Sequence, residues 1–384
     1  MIARLLLSFN LLLAGCQARH LENMPFNVAS LQGPAAVASV VWPVIAKLPA
    51  PQGLRPCCAF GYNVRAKVLG IPVPGFKIGN VIAPDDSGQH HYNDHLLSIL
   101  STLSGLNREH DGIIYTLRGG FIDLAHVRDT ADNTLWLFSQ IWPRLGQAFT
   151  VRLDDELGQR TIRLWPFTPP ATALARYHLA VMMAAQLAYQ LAVWHEVAQW
   201  YGFESVPGYS EAVSAFSPED LYSNLLGARL ASDLLNHGGA STLRQYQRTM
   251  AQAIPQALAQ LEAVSPQQTR FHFDMLDGKW WNSRCRLPDK FLVRRRNYLT
   301  GALRYPTRPA ERVPMLWLTL PDSFHGQPLS AFARLEIWPG NNMKQLPAPK
   351  SPRIFYRFAD FATLAQQAKE VDRRRLLRIG QRCK

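Results

Sequence analysis

This chain has few of the signatures that announce a reaction. Among its 384 residues only five are cysteine, with no Cys-x-x-Cys pair and no Cys/His ladder. That excludes structural zinc modules of the finger or ribbon kind. There is no Gly-x-Ser-x-Gly elbow for a serine nucleophile, no phosphate loop and no dinucleotide fingerprint. Internal repeats and low-complexity tracts are missing, so solenoid and disordered classes fall away. Acid is scarce, with 28 Asp and Glu against 41 Lys and Arg, for a net charge of +13. A long apolar stretch free of formal charge runs between Arg176 and Glu196. His178, Gln186 and Gln190 interrupt it, so it predicts a helix buried inside a domain rather than a membrane span.

What is present is clearest at the start. Arg4 precedes a short apolar run, Leu5 to Leu13, and Leu13-Ala14-Gly15-Cys16 closes it. The run is too short to span a bilayer, which takes roughly 20 residues. It has the charge, length and small residues of a secretory leader. The closing tetrapeptide resembles the lipobox of bacterial lipoproteins. The resemblance implies that residues 1–15 are removed and that Cys16 becomes a lipidated first residue, anchoring the chain to a membrane of the bacterial envelope. Gln17 is not the Asp that typically retains such proteins in the inner membrane, so the outer membrane, facing the periplasm, is expected. Losing Arg4 leaves 40 basic and 28 acidic residues, an excess of 12. In that compartment the excess suits an anionic lipid or envelope polymer, or simply a solvated face, and not nucleic acid. An oxidising periplasm permits disulfides among Cys57, Cys58, Cys285 and Cys383. Neighbours such as Cys57 and Cys58 seldom bridge each other, whereas a bridge from one of them to Cys285 or Cys383 would clamp the two ends of the chain together.

Composition divides the chain into a leader (1–15), a Pro-rich extended tether (16–54), a main helical domain (55–283) and a C-terminal α+β region (284–384). The expected fold is α+β and mainly helical, built round one long buried central helix, with a smaller strand-containing C-terminal region. Residues 64–83 read as short strands and turns, and Ile113-Ile114-Tyr115-Thr116 as a strand ending at Gly119-Gly120. The apolar spacing predicts helices over about 122–142, 171–202, 217–235 and 242–264. The last of the expected helices covers 360–379 and is Arg-rich. Strands are expected over 315–320 and 332–338. Ser217 is the expected cap of the third helix, with Pro218, Glu219 and Asp220 in its first turn.

Two places put polar groups into otherwise apolar helices. In Gly119-Gly120-Phe121-Ile122-Asp123-Leu124-Ala125-His126-Val127-Arg128-Asp129, the Asp123 carboxylate is spaced to orient the His126 imidazole, with Arg128 nearby. Capping by Asp123 accounts for the same spacing. In Trp194-His195-Glu196-Val197-Ala198-Gln199, His followed by Glu matches half of the zinc-protease pattern, but Gln199 stands where the second imidazole belongs. His126 supplied from the other helix repairs it. His126 and His195 are then metal ligands, Glu211 or Glu219 is the third, and Glu196 is the general base activating water. Asp220 and Asn224 stand in support. The ion is zinc or another divalent metal. His90, His91 and His95, with Asp85, Asp86 and Asp94, read as a solvated loop in preference to a second metal patch.

Arg55-Pro56-Cys57-Cys58-Ala59-Phe60-Gly61, the Gly119–Asp129 segment, Trp194-His195-Glu196 and the run Ser214-Ala215-Phe216-Ser217-Pro218-Glu219-Asp220-Leu221-Tyr222-Ser223-Asn224-Leu225-Leu226-Gly227 together resemble a bacterial lipoprotein family classed as a domain of unknown function. The resemblance spans roughly residues 55–310. It implies an envelope protein and carries no reaction. The residues themselves point first to a metal-dependent hydrolase of the envelope. The alternatives are a non-catalytic scaffold or binding lipoprotein, in which the same groups form a satisfied buried network, and metal-free acid–base glycan cleavage by Glu196 and Glu219.

Overall fold

The computed structural model describes residues 24–26, 47–51, 55, 59–68, 70–75, 77–93, 109–205, 208–310, 312–340, 343, 345–349, 352–380 and 382–383. Among them are six α-helices and several small sheets, a mixed α+β fold with strands in the C-terminal region. The helices are α1 (Leu124–Ile141), α2 (Ala173–Trp200), α3 (Asp220–Asn236), α4 (Leu243–Gln260), α5 (Pro266–Leu276) and α6 (Phe358–Ile379).

Helix α2 is the centre. It is apolar on every face, so only burial on all sides makes it stable in water. Two of its polar groups bond to carbonyls of the chain around it: Tyr189 Oη donates to the Gly301 carbonyl at 2.9 Å and Gln186 Nε2 to Pro321 O at 2.8 Å. No helix among the described residues is long and apolar enough to cross a membrane. Helices α1 and α3 pack against α2 and against each other. The contact between α1 and α3 runs backbone to backbone, because a Cβ on Gly227 would stand 2.0 Å from the Val127 carbonyl oxygen. Glycine is therefore a requirement of that crossing.

Strands β1 (Ile113–Thr116) and β2 (Gly120–Asp123) form a buried hairpin that delivers the chain into α1. Gly120 has φ +70°, and a Cβ there would meet the Thr307 carbonyl at 2.6 Å. The expected turn at Gly119-Gly120 is present, but the residues after it pair as a strand, and α1 begins two residues later than predicted. Asp123 caps α1 by accepting the Ala125 N–H at 2.8 Å. The third helix also starts later than predicted. Ser217 does not cap it: its N–H donates to Asp220 Oδ2 at 2.9 Å, and its hydroxyl donates to the Ser214 carbonyl.

A four-stranded antiparallel sheet lies beside α2. It is built from β3 (Phe149–Arg152), β4 (Gln159–Leu164), β5 (Ala333–Trp338) and β6 (Tyr356–Arg357), in the spatial order β6-β5-β4-β3. β5 pairs with β4 over six residues, from Ala333 opposite Leu164 to Trp338 opposite Gln159. The C-terminal region thus shares a core with the helical part. α6 closes over the end of α2, where Tyr201 Oη donates to Leu364 O and Trp200 Nε1 to Asp372 Oδ2 at 2.7 Å.

Part of the expected tether also belongs to the fold. Met24–Pro25 pairs in parallel with Leu316 and Trp317, Phe26 is buried, and Leu48 joins the core. The disulfide joins Cys285 to Cys383, with the Cα atoms 5.2 Å apart. It straps the chain beyond α6 to the 282–294 segment and does not clamp the N-terminal part. Cys16, Cys57 and Cys58 lie outside the described residues.

Candidate metal centre

The N-terminal ends of α1 and α3 meet the C-terminal third of α2, bringing His126, Glu196 and Asp220 together. One ligand atom from each lies within 4.8 Å of the others, and all three residues are buried. His126 Nε2 stands 3.2 Å from Asp220 Oδ1. Two helix N-termini pointing at one place favour negative charge there, which matches Asp123 capping α1 and Asp220 opening α3.

The turn before α3 completes the arrangement. Phe216, fully buried, adopts φ +58°, a left-handed conformation costly for a side-chain-bearing residue. That conformation aims its N–H at Glu196 Oε2, 2.5 Å away. Arg296 holds the turn by donating to the carbonyls of Ala215 and Val213, and Asn297 N–H donates to the Phe216 carbonyl at 2.8 Å. The Ser214–Gly227 run is thus the piece of chain that presents both the Glu196 partner and the acids.

The acids outnumber the cations. Among the described residues, Glu196 Oε1 accepts no hydrogen bond, and neither carboxyl oxygen of Glu219 accepts one from another residue. Burial, reinforced by Asp220, pushes Glu196 up to about 8, against the pull of His126 and His195. Burial raises Asp123 to about 7, with Asp220 adding to it. Burial also holds Glu219 well above the carboxylate range, with Asp220 and Asp123 in support. Buried unpaired carboxyls are rare because each costs several kcal/mol to desolvate, on the order of 1–3 kcal/mol even when neutral.

A cleft reaches this cluster at His126. Its walls include His126, Asn224, Arg55, Glu156, Arg160 and His195. His195 does not join the three donors. It stands across the cleft, with Nδ1 3.3 Å from Glu156 Oε1, which also takes an ion pair from Arg160 at 2.8 Å. Burial opposes protonation of His195, but Glu156 outweighs it and the histidine titrates above its ordinary value. Glu211 is elsewhere, accepting from Gln199 Nε2 at 3.1 Å and Ser205 N–H at 2.7 Å. Glu219 is buried at the cluster, next to Asp220. Asn224 Oδ1 accepts the Thr130 hydroxyl at 2.7 Å.

Arg128 belongs to a second buried polar cluster, which no sequence pattern signals. Arg55 lies at its heart, reaching Glu109 at 2.9 Å, Asp129 at 2.7 Å and Asp132 at 3.0 Å. Arg128 pairs with Glu109 and Asp111, and Tyr246 donates to Asp132 at 3.0 Å. His90 corrects the expectation of a solvated loop. It is 2% exposed and sits between Asp132 (2.9 Å) and Glu109 (3.3 Å). Its neighbour His91 is exposed, and Asp94 and His95 lie outside the described residues. Glu156 is equally silent in the sequence, because it ends the run Asp154-Asp155-Glu156, which reads as a solvated acidic turn.

Compared with known proteins, residues 45–310 match a family model described as protein of unknown function (DUF4056). No curated protein matches the chain, and no solved structure does.

Proposed function

The chain belongs to the DUF4056 family, and from its site we propose that it is a metal-dependent hydrolase, exported and held in the bacterial envelope by a lipid on Cys16. The observation that carries the proposal is the buried triplet of His126, Glu196 and Asp220, with donor atoms within 4.8 Å and unsatisfied carboxyl oxygens beside it. One imidazole and two carboxylates suit zinc, manganese or iron(II), and three protein ligands leave room for water. The bound ion supplies an acidified water and polarises a carbonyl. Glu196 serves in this reading as a ligand, its Oε2 oriented by the Phe216 N–H. The charge of a bound ion would oppose the burial that otherwise keeps Glu219 protonated, and Glu219, which accepts no hydrogen bond from another described residue, would then be placed to take up the water's proton. The cleft walls, with His195 held by Glu156, receive the substrate.

Metal-free cleavage by Glu196 and Glu219 is disfavoured by burial. These residues are 0% and 1% exposed and neither lines the cleft, so neither can touch a glycosidic bond directly, as metal-free cleavage requires. An ion held by His126, which does line the cleft, would bridge the buried acids to a substrate there. The export half of the proposal draws on the leader pattern and on the Cys285–Cys383 disulfide, since such bonds persist in oxidising compartments. Mass spectrometry of the N-terminal peptide tests it: acylated Cys16 supports the reading, and an intact Met1 start overturns it.

The first experiment on the site is elemental analysis of purified protein beside variants. Near-stoichiometric metal is expected in the wild type and in His195→Ala, and loss in His126→Ala, Glu196→Gln and Asp220→Asn with the fold retained by circular dichroism. No metal after supplementation would sink the hydrolase. Metal lost only in His195→Ala would assign a different ligand set. Loaded protein is then screened on amide, ester and cell-wall substrates with and without chelator.

A further inference from the structure

The excess of basic charge is not spread evenly. Residues 369–384 hold seven Lys and Arg and only two acids. One of those acids, Asp372, is buried and taken up by Lys290 at 2.9 Å and by the Trp200 and Tyr298 donors, each at 2.7 Å. The other, Glu370, pairs with both Arg373 and Arg374, whose side chains remain 61% exposed. Helix α6 buries Phe361, Leu364, Ala365 and Ala368 against the body. Its outer face, on the last turns, is Arg373, Arg374, Leu377 and Arg378, and Leu377 is 73% exposed among the arginines. The strap beyond the helix adds to this end of the molecule. Arg294 donates to the Gly380 carbonyl at 3.0 Å, and the disulfide brings exposed Arg284 and Arg382 next to its two cysteines.

A leucine exposed in the middle of an arginine cluster fits a surface with anionic groups above an apolar layer. Nucleic acid has the charge but offers no apolar layer to Leu377. The N-terminal pairing points the same way. Met24 is fixed beside Leu316, and only seven residues lie between it and Cys16, so the linking chain of eight steps reaches at most about 29 Å. A body held that close meets the bilayer at high effective concentration. This last step rests on the lipid-anchor reading; the patch itself does not.

We propose that the outer face of the last turns of α6, with the disulfide-strapped segment beside it, docks on the anionic headgroups of a bilayer, with Leu377 entering the interface. The test is co-sedimentation of a chain beginning at Gln17, which keeps every described residue and carries no lipid. The probes are vesicles of phosphatidylcholine and vesicles in which phosphatidylglycerol replaces a third of it. Binding is expected only to the anionic vesicles, weakening as salt rises. Combining Arg373→Glu, Arg374→Glu and Arg378→Glu is expected to lower partitioning on the order of a hundredfold. Leu377→Gln lowers it less and leaves the salt dependence in place. The control is Arg244→Glu with Arg248→Glu, exposed arginines on α4. Equal loss in the control would reduce the effect to net charge and overturn the proposal. So would equal binding to neutral vesicles, or binding to single-stranded DNA with none to vesicles. Because the vesicle assay needs neither lipidation nor a metal, its failure is separate from failure of the hydrolase or anchor readings.

Discussion

Glu196 is conspicuous in the sequence because the nineteen residues before it carry no formal charge, and His126 because it interrupts an apolar helix behind a glycine pair. A polar group in such a setting must find a partner once buried, so the sequence alone singles out both. It does not say which groups they meet. Asp220 is explained well enough as a first-turn acid, and His195 has the stronger claim as a ligand because it adjoins Glu196. Adjacent residues on a helix point about 100° apart, and that rotation sends His195 to Glu156 across the cleft. The Arg55 cluster is illegible for another reason: its partners lie 54, 74 and 77 residues away, with no periodicity linking them. Its buried histidine has a measurable consequence. Burial works against the His90 cation, but Asp132 and Glu109 prevail, and its pKa is raised in the folded protein. Arg55, paired to the same acids, and Tyr246, whose ring meets His90 edge-on, complete its surroundings. A raised histidine contributes stability that is full below its unfolded value of about 6.5 and is lost as pH rises through the folded value. Urea midpoints measured near pH 6 and near pH 8 are expected to fall with rising pH in the wild type, and His90→Gln to remove part of that fall, the rest belonging to His195, Asp123 and Glu196. An unchanged slope in the variant would place the titration elsewhere.

At the scale of elements, the sequence shows what periodicity and punctuation can show. α2 is legible from end to end because Pro169-Pro170 and Gly202 bracket an apolar stretch. The strands at 316–319 and 333–338 and the final helix fall where apolar alternation and spacing put them. α5 is not foreseen, although Ser265 and Gln268 form a capping box, because only three of its eleven residues are buried and its apolar signal is thin. The hairpin of β3 and β4 escapes the pattern because its arginines break the alternation: Arg152, Arg160 and Arg163 all lie on it. Hidden most completely is the distance between helices. The separation of α1 from α3 is fixed by the absence of one methyl group at Gly227, and sequence alone does not announce what a glycine faces. Gly227→Ala must push the Val127 backbone away, and overpacking of this kind costs about 1–3 kcal/mol. The same displacement moves His126 from Asp220. A lowered urea midpoint together with reduced metal occupancy is therefore expected. Wild-type values for both would show that the crossing relaxes without strain.

For the whole molecule, one continuous core joins Phe26 to Ala368 and passes through every helix except α5. The Cys285–Cys383 bond closes a loop of 98 residues around the C-terminal part of that core. Breaking it by Cys285→Ser with Cys383→Ser is expected to cost about 2–5 kcal/mol, read as a lowered melting temperature that reductant reproduces in the wild type. A melting temperature indifferent to reductant would show that the strap carries no load. The family match ends at residue 310, yet Trp194 on α2 stacks against Tyr356 and Phe361 from beyond it. The β5 strand, central in its sheet, also arrives from beyond that point, and it pairs with β4 immediately after the turn that carries Glu156. A chain made from N- to C-terminus therefore completes its parts in a fixed sequence. All three donor residues have been synthesised once α3 is finished, nearly a hundred residues before β5. The half-made polypeptide then carries the three donors but lacks Arg296 and Asn297, which hold the Phe216 turn, and the strand that steadies the opposite wall of the cleft. On the proposed reading the donors come first and the frame that aims them second, so the nascent protein would stay silent until its last third has been laid down.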